Sequence, residues 1–269
     1  MRVYLMTDLE GVAGVMNSTD WIYPESRYYE LGKEFLTKEV NAAVDGFFAA
    51  GADEVVVQDG NGHGAVNIAL LDPRAKLQRG WNNGGFPFGM DCGKYDVMAY
   101  VGQHPKAGTE FGHLCHTGTF HVIDYRVNGI SVGEFGQGVF MGQIYGITPI
   151  FASGCLAFTK EAVALVKGIE TVAVKEGVQS GTGEECTAES YEKRNWGAIH
   201  LQPEAARKAI REGAERALRR YIADPGSFVP TTIAPPYSKQ VILRQHNGQL
   251  RNTISLTGYD DLAAVLNAW

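Results

Sequence analysis

The sequence predicts an α/β fold: a largely parallel sheet flanked by helices, with a smaller C-terminal α+β region. Three observations predict it. Short apolar runs that read as buried strands recur at Met1–Thr7, Glu54–Gln58, Asp96–Gly102 and Pro149–Ala152. Stretches with helical apolar spacing lie between several of them, an order that implies right-handed crossovers to parallel neighbours. Strand after strand also ends in glycines beside a carboxylate or imidazole, and the carboxyl ends of strands are where open α/β sheets hold their ligands.

The run Met1–Thr7 leads into Asp8-Leu9-Glu10-Gly11. Side chains two apart on a strand share a face, so Asp8 and Glu10 are expected to project together. Such a pair can bind a divalent cation, share a proton, or start a helix with Asp8 as its cap. A loop with Asp20, Trp21 and Pro24 precedes a helix running to about Ala50. Leu36, Val40, Ala43, Val44 and Phe47 form its apolar face, and Gly51 is its stop. The strand Glu54–Gln58 ends in Asp59-Gly60-Asn61-Gly62-His63-Gly64. A short helix over Val66–Leu71 halts before Pro73, and Trp81–Gly89 reads as a loop suited to a pocket wall or a subunit contact. Beyond the strand Asp96–Gly102 stands His104, then a loop, then His113, Cys115 and His116.

Thr119–Val127 and Ile130–Val132 form a hairpin about the Asn128-Gly129 turn, ending at Gly133-Glu134-Phe135-Gly136. A helix to about Tyr145, the strand Pro149–Ala152, a helix over Thr159–Lys167 and the strand Thr171–Lys175 follow. Val178–Arg194 is polar and without period, and reads as a long loop or insertion. Pro203 opens a helix to about Ile222. Strands Lys239–Arg244 and Leu250–Leu256, joined by a His246-Asn247-Gly248 turn, and a short helix in Asp260–Ala268 complete the chain. The expected division is an α/β core over 1–177, the insertion over 178–194 and the smaller α+β region over 195–269.

At 269 residues, 45% hydrophobic and 20% charged, the chain has the composition of an ordinary globular protein. A formal net charge of -6 gives no general attraction to nucleic acid or anionic lipid. No apolar run approaches a membrane span, and the acid at position 8 interrupts any signal-peptide core. Cys92, Cys115, Cys155 and Cys186 are widely spaced, which reads as reduced thiols in a cytoplasmic protein.

Asp8, Glu10, His63, His104 and Glu134 each stand just past an apolar strand, flanked by glycine or a turn. Mixed carboxylate and imidazole donors suit zinc or a comparable divalent ion, and five of them suffice for two ions if one carboxylate bridges. His116 reads either as a further ligand or as the proton-transfer group, with His113 competing for the second role. Cys115 invites a thiol-nucleophile reading, opposed by its being commonly a small buried hydrophobe. The glycines at 60, 62 and 64 lack the spacing and placement of a dinucleotide loop.

These motifs resemble the zinc-dependent D-aminopeptidase family, the self-compartmentalising metallopeptidases of bacterial dipeptide-transport operons. The resemblance runs over 1–177 and resumes near Ala198. It is carried by Asp8, Glu10, Gly11 and Gly14; by Asp59 with His63-Gly64 and Asn67; by Gly102 and His104; by His116 twelve residues on; and by Val132, Gly133, Glu134 and Gly136. It implies a two-zinc hydrolase of amide bonds, an aminopeptidase on short peptides with an N-terminal D-residue. Asp8, Glu10, His63, His104 and Glu134 would be the metal ligands, His116 the catalytic histidine, and the assembly a homo-oligomer, pentameric or decameric. The chain departs from the family in two extra residues between Asp59 and His63, which lets Asn61 contend for the ligand position. It departs again in Gly154-Cys155-Leu156, where an acid is usual, and in the length of 178–194. The same centre acting on a lactam, carbamoyl or N-acyl compound, or a catalytically silent metal-binding ring, are the alternative readings.

Overall fold

The computed structural model describes residues 1–80, 85–246 and 248–268. In chain order, β1 (Arg2–Thr7), a single turn α1 (Ser18–Trp21), the long α2 (Tyr29–Ala49), β2 (Glu54–Asp59), the short β3 (Lys76–Gln78) and β4 (Val97–Gln103) come first. Then follow β5 (Val122–Val127), β6 (Ile130–Ser131), α3 (Glu134–Tyr145), β7 (Thr148–Cys155), α4 (Leu156–Leu165), β8 (Val166–Lys167) and β9 (Glu170–Gly177). The chain closes with α5 (Ala188–Arg194), β10 (Ala198–His200), α6 (Pro203–Ala223), β11 (Val229–Pro230), β12 (Tyr237–Leu243), β13 (Asn252–Tyr259) and α7 (Leu262–Asn267).

Among the described residues the main sheet has seven strands in the order β10-β9-β7-β4-β1-β2-β3. All its pairings are parallel except β10 against β9. The chain builds outward from β1 in one direction through β2 and β3, then returns to β1's other side with β4. The strand order therefore reverses between β1 and β4, and at such a switch point the strand ends leave a crevice.

Alternation along these strands sorts the core into two faces. Val3, Leu5, Val97, Ala99 and Val101 pack with Leu36, Val40, Val44 and Phe47 of α2 and Ile210, Ala214 and Leu218 of α6. Tyr4, Met6, Met98 and Tyr100 pack on the opposite face with Phe135 and Val139 of α3, Phe158 of α4 and residues of the second sheet. That second sheet is antiparallel, ordered β13-β12-β5-β6. Residues from both sides of 178–194 enter both sheets: β10 extends the main one, and β12 and β13 add to the β5–β6 hairpin.

Several expectations are corrected. No helix forms over Val66–Leu71: the Leu70 N–H bonds to Asn67 O at 3.0 Å, three residues back, and the segment closes as a turn instead of continuing as a helix. The Asp59 carboxylate accepts from the Ala65 and Val66 N–H groups, Thr37 Oγ1 from Asn67, and Asn67 Oδ1 from Ala69. The helix expected over Thr159–Lys167 begins earlier, at Leu156, and stops at Leu165. Val166 and Lys167 pair instead with Val229 and Pro230. The stretch 178–194 contains α5, capped by Thr187, which accepts from the Ser190 N–H at 3.3 Å. Two edge strands of three residues each, β3 and β10, extend the main sheet beyond the expected strands. Part of the expected loop Trp81–Gly89 and the turn residue Asn247 lie outside the described residues.

The helices α2 and α6 run so close that a Cβ on Gly46 would stand 2.3 Å from the Arg211 carbonyl oxygen and 3.0 Å from the Glu215 nitrogen. Both neighbours are backbone, which cannot rotate away. Gly46→Ala is therefore expected to destabilise the protein by about 1–3 kcal/mol of overpacking, against the roughly 1 kcal/mol that alanine gains in helix propensity. Urea denaturation measures it, and an unchanged or raised midpoint would refute the packing argument.

Candidate metal centre

The tips of β1 and β4 are laced together where the strand order reverses. The Asp8 N–H donates to Val101 O at 3.0 Å and the Gly11 N–H to Gly102 O at 2.7 Å. Asp8 and Glu10 sit in the turn after β1 rather than on the strand, so it is this turn, not strand alternation, that aims both side chains to one side. Gln103 Nε2 donates to Asp8 Oδ2 at 3.0 Å, and Asp8 Oδ1 accepts from the Leu9 N–H at 2.9 Å. The buried Lys175 ammonium on β9 ties down the turn itself, donating to Glu10 O at 2.6 Å and Val15 O at 3.1 Å.

Five groups meet there. Asp8, Glu10 and His104 form one triad, and His104, His116 and Glu134 a second; within each, one candidate ligand atom per residue lies within 4.8 Å of the others. His104 Nε2 is 3.2 Å from Asp8 Oδ2 and 3.4 Å from Glu134 Oε1, and His116 Nε2 is 3.7 Å from the same Glu134 oxygen. The two imidazoles stack with centroids 3.9 Å apart. Glu134 is the first residue of α3, and its Oε1 also accepts from the Gly118 N–H at 2.8 Å.

Both rings are oriented from behind. His104 Nδ1 lies 3.0 Å from Pro105 O, and His116 Nδ1 2.9 Å from Leu114 O. A carbonyl cannot donate, so each Nδ1 carries the proton and each Nε2 turns its lone pair toward the carboxylates. Lone pairs facing carboxylate oxygens at 3.2–3.4 Å require a positive centre among them, a proton or a metal ion. Glu10 Oε2 and His104 Nε2 are moreover buried without a hydrogen-bond partner. Without a cation the strain is taken up by protons. Burial, then Asp8, raises the Glu10 pKa well above the carboxylate range. Burial pulls the His104 pKa down, but Glu134 and Asp8 outweigh it and leave it raised well above the ordinary value. Burial, and then His104, lowers the His116 pKa to about 4. Oxygen and imidazole donors converging on orphaned acceptors fit a divalent cation such as zinc, which replaces those protons.

The cluster forms one wall of a cavity of about 700 Å³ at the carboxyl end of the sheet. Tyr23, Phe86, Phe88, Phe120, Tyr125 and Leu266 supply apolar lining, and Glu189 and Glu192 of α5 reach its edge. No Lys or Arg lines it among the described residues. Of the sequence-predicted ligands, His63 is not brought into either triad. It is exposed on the cavity wall, its ring 5.9 Å from that of Tyr23. Asn61 is buried and turned into its own loop, its Oδ1 accepting from the His63 N–H at 3.2 Å. Sequence reasoning missed Gln103, Lys175 and the α5 glutamates. Only Gln103, between Gly102 and His104, stood beside a flagged residue.

The competing candidates lie elsewhere. Cys115 is buried against the Tyr191 hydroxyl, 3.2 Å away, and burial raises its pKa, the reverse of an activated thiol. All four cysteines are free. His113 Nε2 donates to Met16 O at 2.9 Å and Trp196 O at 3.2 Å, away from the cavity lining. Burial, then Lys175, holds the His113 pKa well below 6.5, so the ring is neutral in the fold. An imidazole depressed in this way contributes stability that is full above the unfolded pKa of about 6.5 and is lost as the pH falls below it, by at most about 1.4 kcal/mol per pH unit. His113→Gln keeps a donor but cannot titrate. Its stability, followed by denaturation from pH 7 to 5, is expected to fall less steeply than that of the native protein; equal slopes would show that His113 is not the buried neutral group described.

Comparisons with known proteins bear on the fold and the family. A D-aminopeptidase of Bacillus subtilis (strain 168) is 30% identical over 184 residues, 66% of this chain and 65% of that relative, so the match spans a little under two thirds of the relative's length. The structure of the Zn-dependent D-aminopeptidase DppA from Bacillus subtilis, a self-compartmentalizing protease, superposes with a TM-score of 0.82, covering 99% of this chain and 95% of that one at 21% identity, a likeness of fold. The family model described as D-aminopeptidase matches residues 1–254, nearly the whole sequence, and this chain belongs to that family.

Proposed function

We propose that this protein is a dinuclear zinc aminopeptidase that hydrolyses short peptides bearing an N-terminal D-residue, working in the cytoplasm. The observation that carries the proposal is the convergence of Asp8, Glu10, His104, His116 and Glu134 at the strand-order reversal, with Glu10 Oε2 and His104 Nε2 buried and unpartnered. Asp8, Glu10, His104 and Glu134 would hold the metal. His63, already on the cavity wall, would join them by a shift of the 60–64 loop. Zinc in such a centre supplies Lewis acidity, polarising an amide carbonyl and making water acidic enough to yield hydroxide near neutral pH.

The remaining chemistry belongs to the chain. His116 is the proton carrier: Leu114 O fixes its Nδ1–H, leaving Nε2 to take a proton from water and return it to the departing amine. The acid-rich cavity without a lining Lys or Arg suits a substrate entering with its free ammonium group. The aromatic wall excludes water and accepts an apolar side chain. The related Bacillus protease is self-compartmentalizing, and we take this chain to assemble likewise into homo-oligomeric rings, pentamers or decamers, whose interior would limit substrates to short peptides. No helix among the described residues is long and apolar enough to cross a membrane.

Metal analysis and a panel of D- and L-aminoacyl amides test the reading together. Zinc near two equivalents per chain and a preference for the D-substrates of at least tenfold are expected; zinc without hydrolysis of any aminoacyl amide would overturn it. His116→Ala is expected to lower kcat by about 10²–10⁴ with zinc retained, whereas Asp8→Ala and His104→Ala lose zinc itself. Loss of metal in His116→Ala would reassign His116 as a ligand.

A further inference from the structure

Glu161, on α4, belongs to no part of the site described above, and its carboxylate is bonded at both oxygens to main chain. Oε2 accepts from the Lys106 N–H at 2.9 Å and Oε1 from the Gly133 N–H at 3.2 Å. Gly133 immediately precedes Glu134, and Lys106 follows His104 by two. One side chain thus joins the two segments that deliver the ligands shared by the second triad.

The Lys106 bond has a further consequence. The N–H of Lys106 and the C=O of Pro105 belong to the same peptide plane, and Pro105 O is the acceptor for His104 Nδ1 at 3.0 Å. Carboxylate, peptide and imidazole therefore stand in series. A negative charge on the N–H side polarises the amide and strengthens its carbonyl as an acceptor, since hydrogen bonds in a chain reinforce one another. A stronger acceptor at Nδ1–H fixes the ring's tautomer and orientation and makes Nε2 a better donor to a cation, as partners behind metal-bound histidines do. The Gly133 bond fixes the entry to α3, where no side chain caps the helix. No Cβ can be added at Gly133 without coming within 3.0 Å of Glu161 Oε1 and 2.9 Å of Lys106 Cβ.

We propose that Glu161 is the positioning residue of the metal centre, acting through the Pro105–Lys106 peptide on His104 and through the Gly133 main chain on Glu134. The inference rests on the metal-centre reading above and fails separately from it. Zinc affinity is measured by competition with a chromophoric chelator, and ligand geometry by the visible spectrum of the cobalt(II) form, on the full chain. Neither readout uses a substrate.

Glu161→Ala is expected to weaken zinc binding by about 10–100-fold and to shift the cobalt bands. Glu161→Gln, which keeps one acceptor for the two N–H groups, should weaken it less and carries the test if the alanine variant does not fold. Lys160→Gln, one residue away on the exposed side, should match the native protein. A general loss of packing would lower the melting temperature of the metal-free protein without moving the cobalt bands. Zinc affinity within twofold of native and an unaltered cobalt spectrum in Glu161→Gln would overturn the proposal. A native protein that binds no zinc would instead overturn the metal centre itself.

Discussion

The arrangement depends on how closely the ends of two parallel strands approach at the point where the sheet changes direction of growth. Past Thr7 and Val101 the backbones of β1 and β4 continue in contact, and only glycine permits this. Gly102 has φ +78°, and a Cβ there would stand 2.1 Å from Asp8 O; one on Gly11 would stand 2.1 Å from Gln103 O. The contact sets the distance between the Asp8–Glu10 turn and His104. Everything later in the chain, α3 with Glu134 and the loop with His116, is placed against that fixed pair.

Crowding three carboxylates and two imidazoles into a largely buried corner is unfavourable by itself, and the structure shows what holds it. Lys175 fixes the Glu10 turn, Glu39 Oε1 accepts from the Ala13 N–H at 2.9 Å three residues on, and Gln103 restrains Asp8. These contacts are mostly to main chain, so the clustered carboxylate and imidazole side chains remain available. A cluster held open in this way can hold a cation, and binding one would return free energy to the folded state by mass action.

The far wall of the cavity has its own scaffold. Arg244, buried, lies over the Tyr191 ring at 3.6 Å, and its guanidinium donates to Gly183 O. Tyr191 in turn donates its hydroxyl, or accepts, at Cys115, while Ser18 Oγ donates to Glu192 at 2.5 Å. The polar stretch before residue 195 is thereby an ordered wall that presents Glu189 and Glu192 to the cavity.

Local signals in the sequence determined much of this. Short continuous apolar runs alternating with helical faces indicated the α/β class, since strands of a parallel sheet are covered on both sides and the helices that cover them must bury one face. Acids and histidines beside glycines just past apolar strands marked Asp8, Glu10, His63, His104 and Glu134, and left His116 and His113 as rivals for proton transfer; the fold brings Asp8, Glu10, His104, His116 and Glu134 together and leaves His63 on the cavity wall. What the chain could not disclose locally was decided by contacts distant in sequence. Val66–Leu71 has helical residues, but Asp59 and Thr37 anchor its start to other elements and it closes as a turn from Asn67 to Leu70. Cys115 and His116 are neighbours, yet one faces Tyr191 and the other the cavity. His113 and His116 were indistinguishable until the carbonyls of Met16 and Trp196 claimed the first. Glu161 carries no motif, since its role exists only where a peptide plane and a helix entry are brought within reach of one carboxylate.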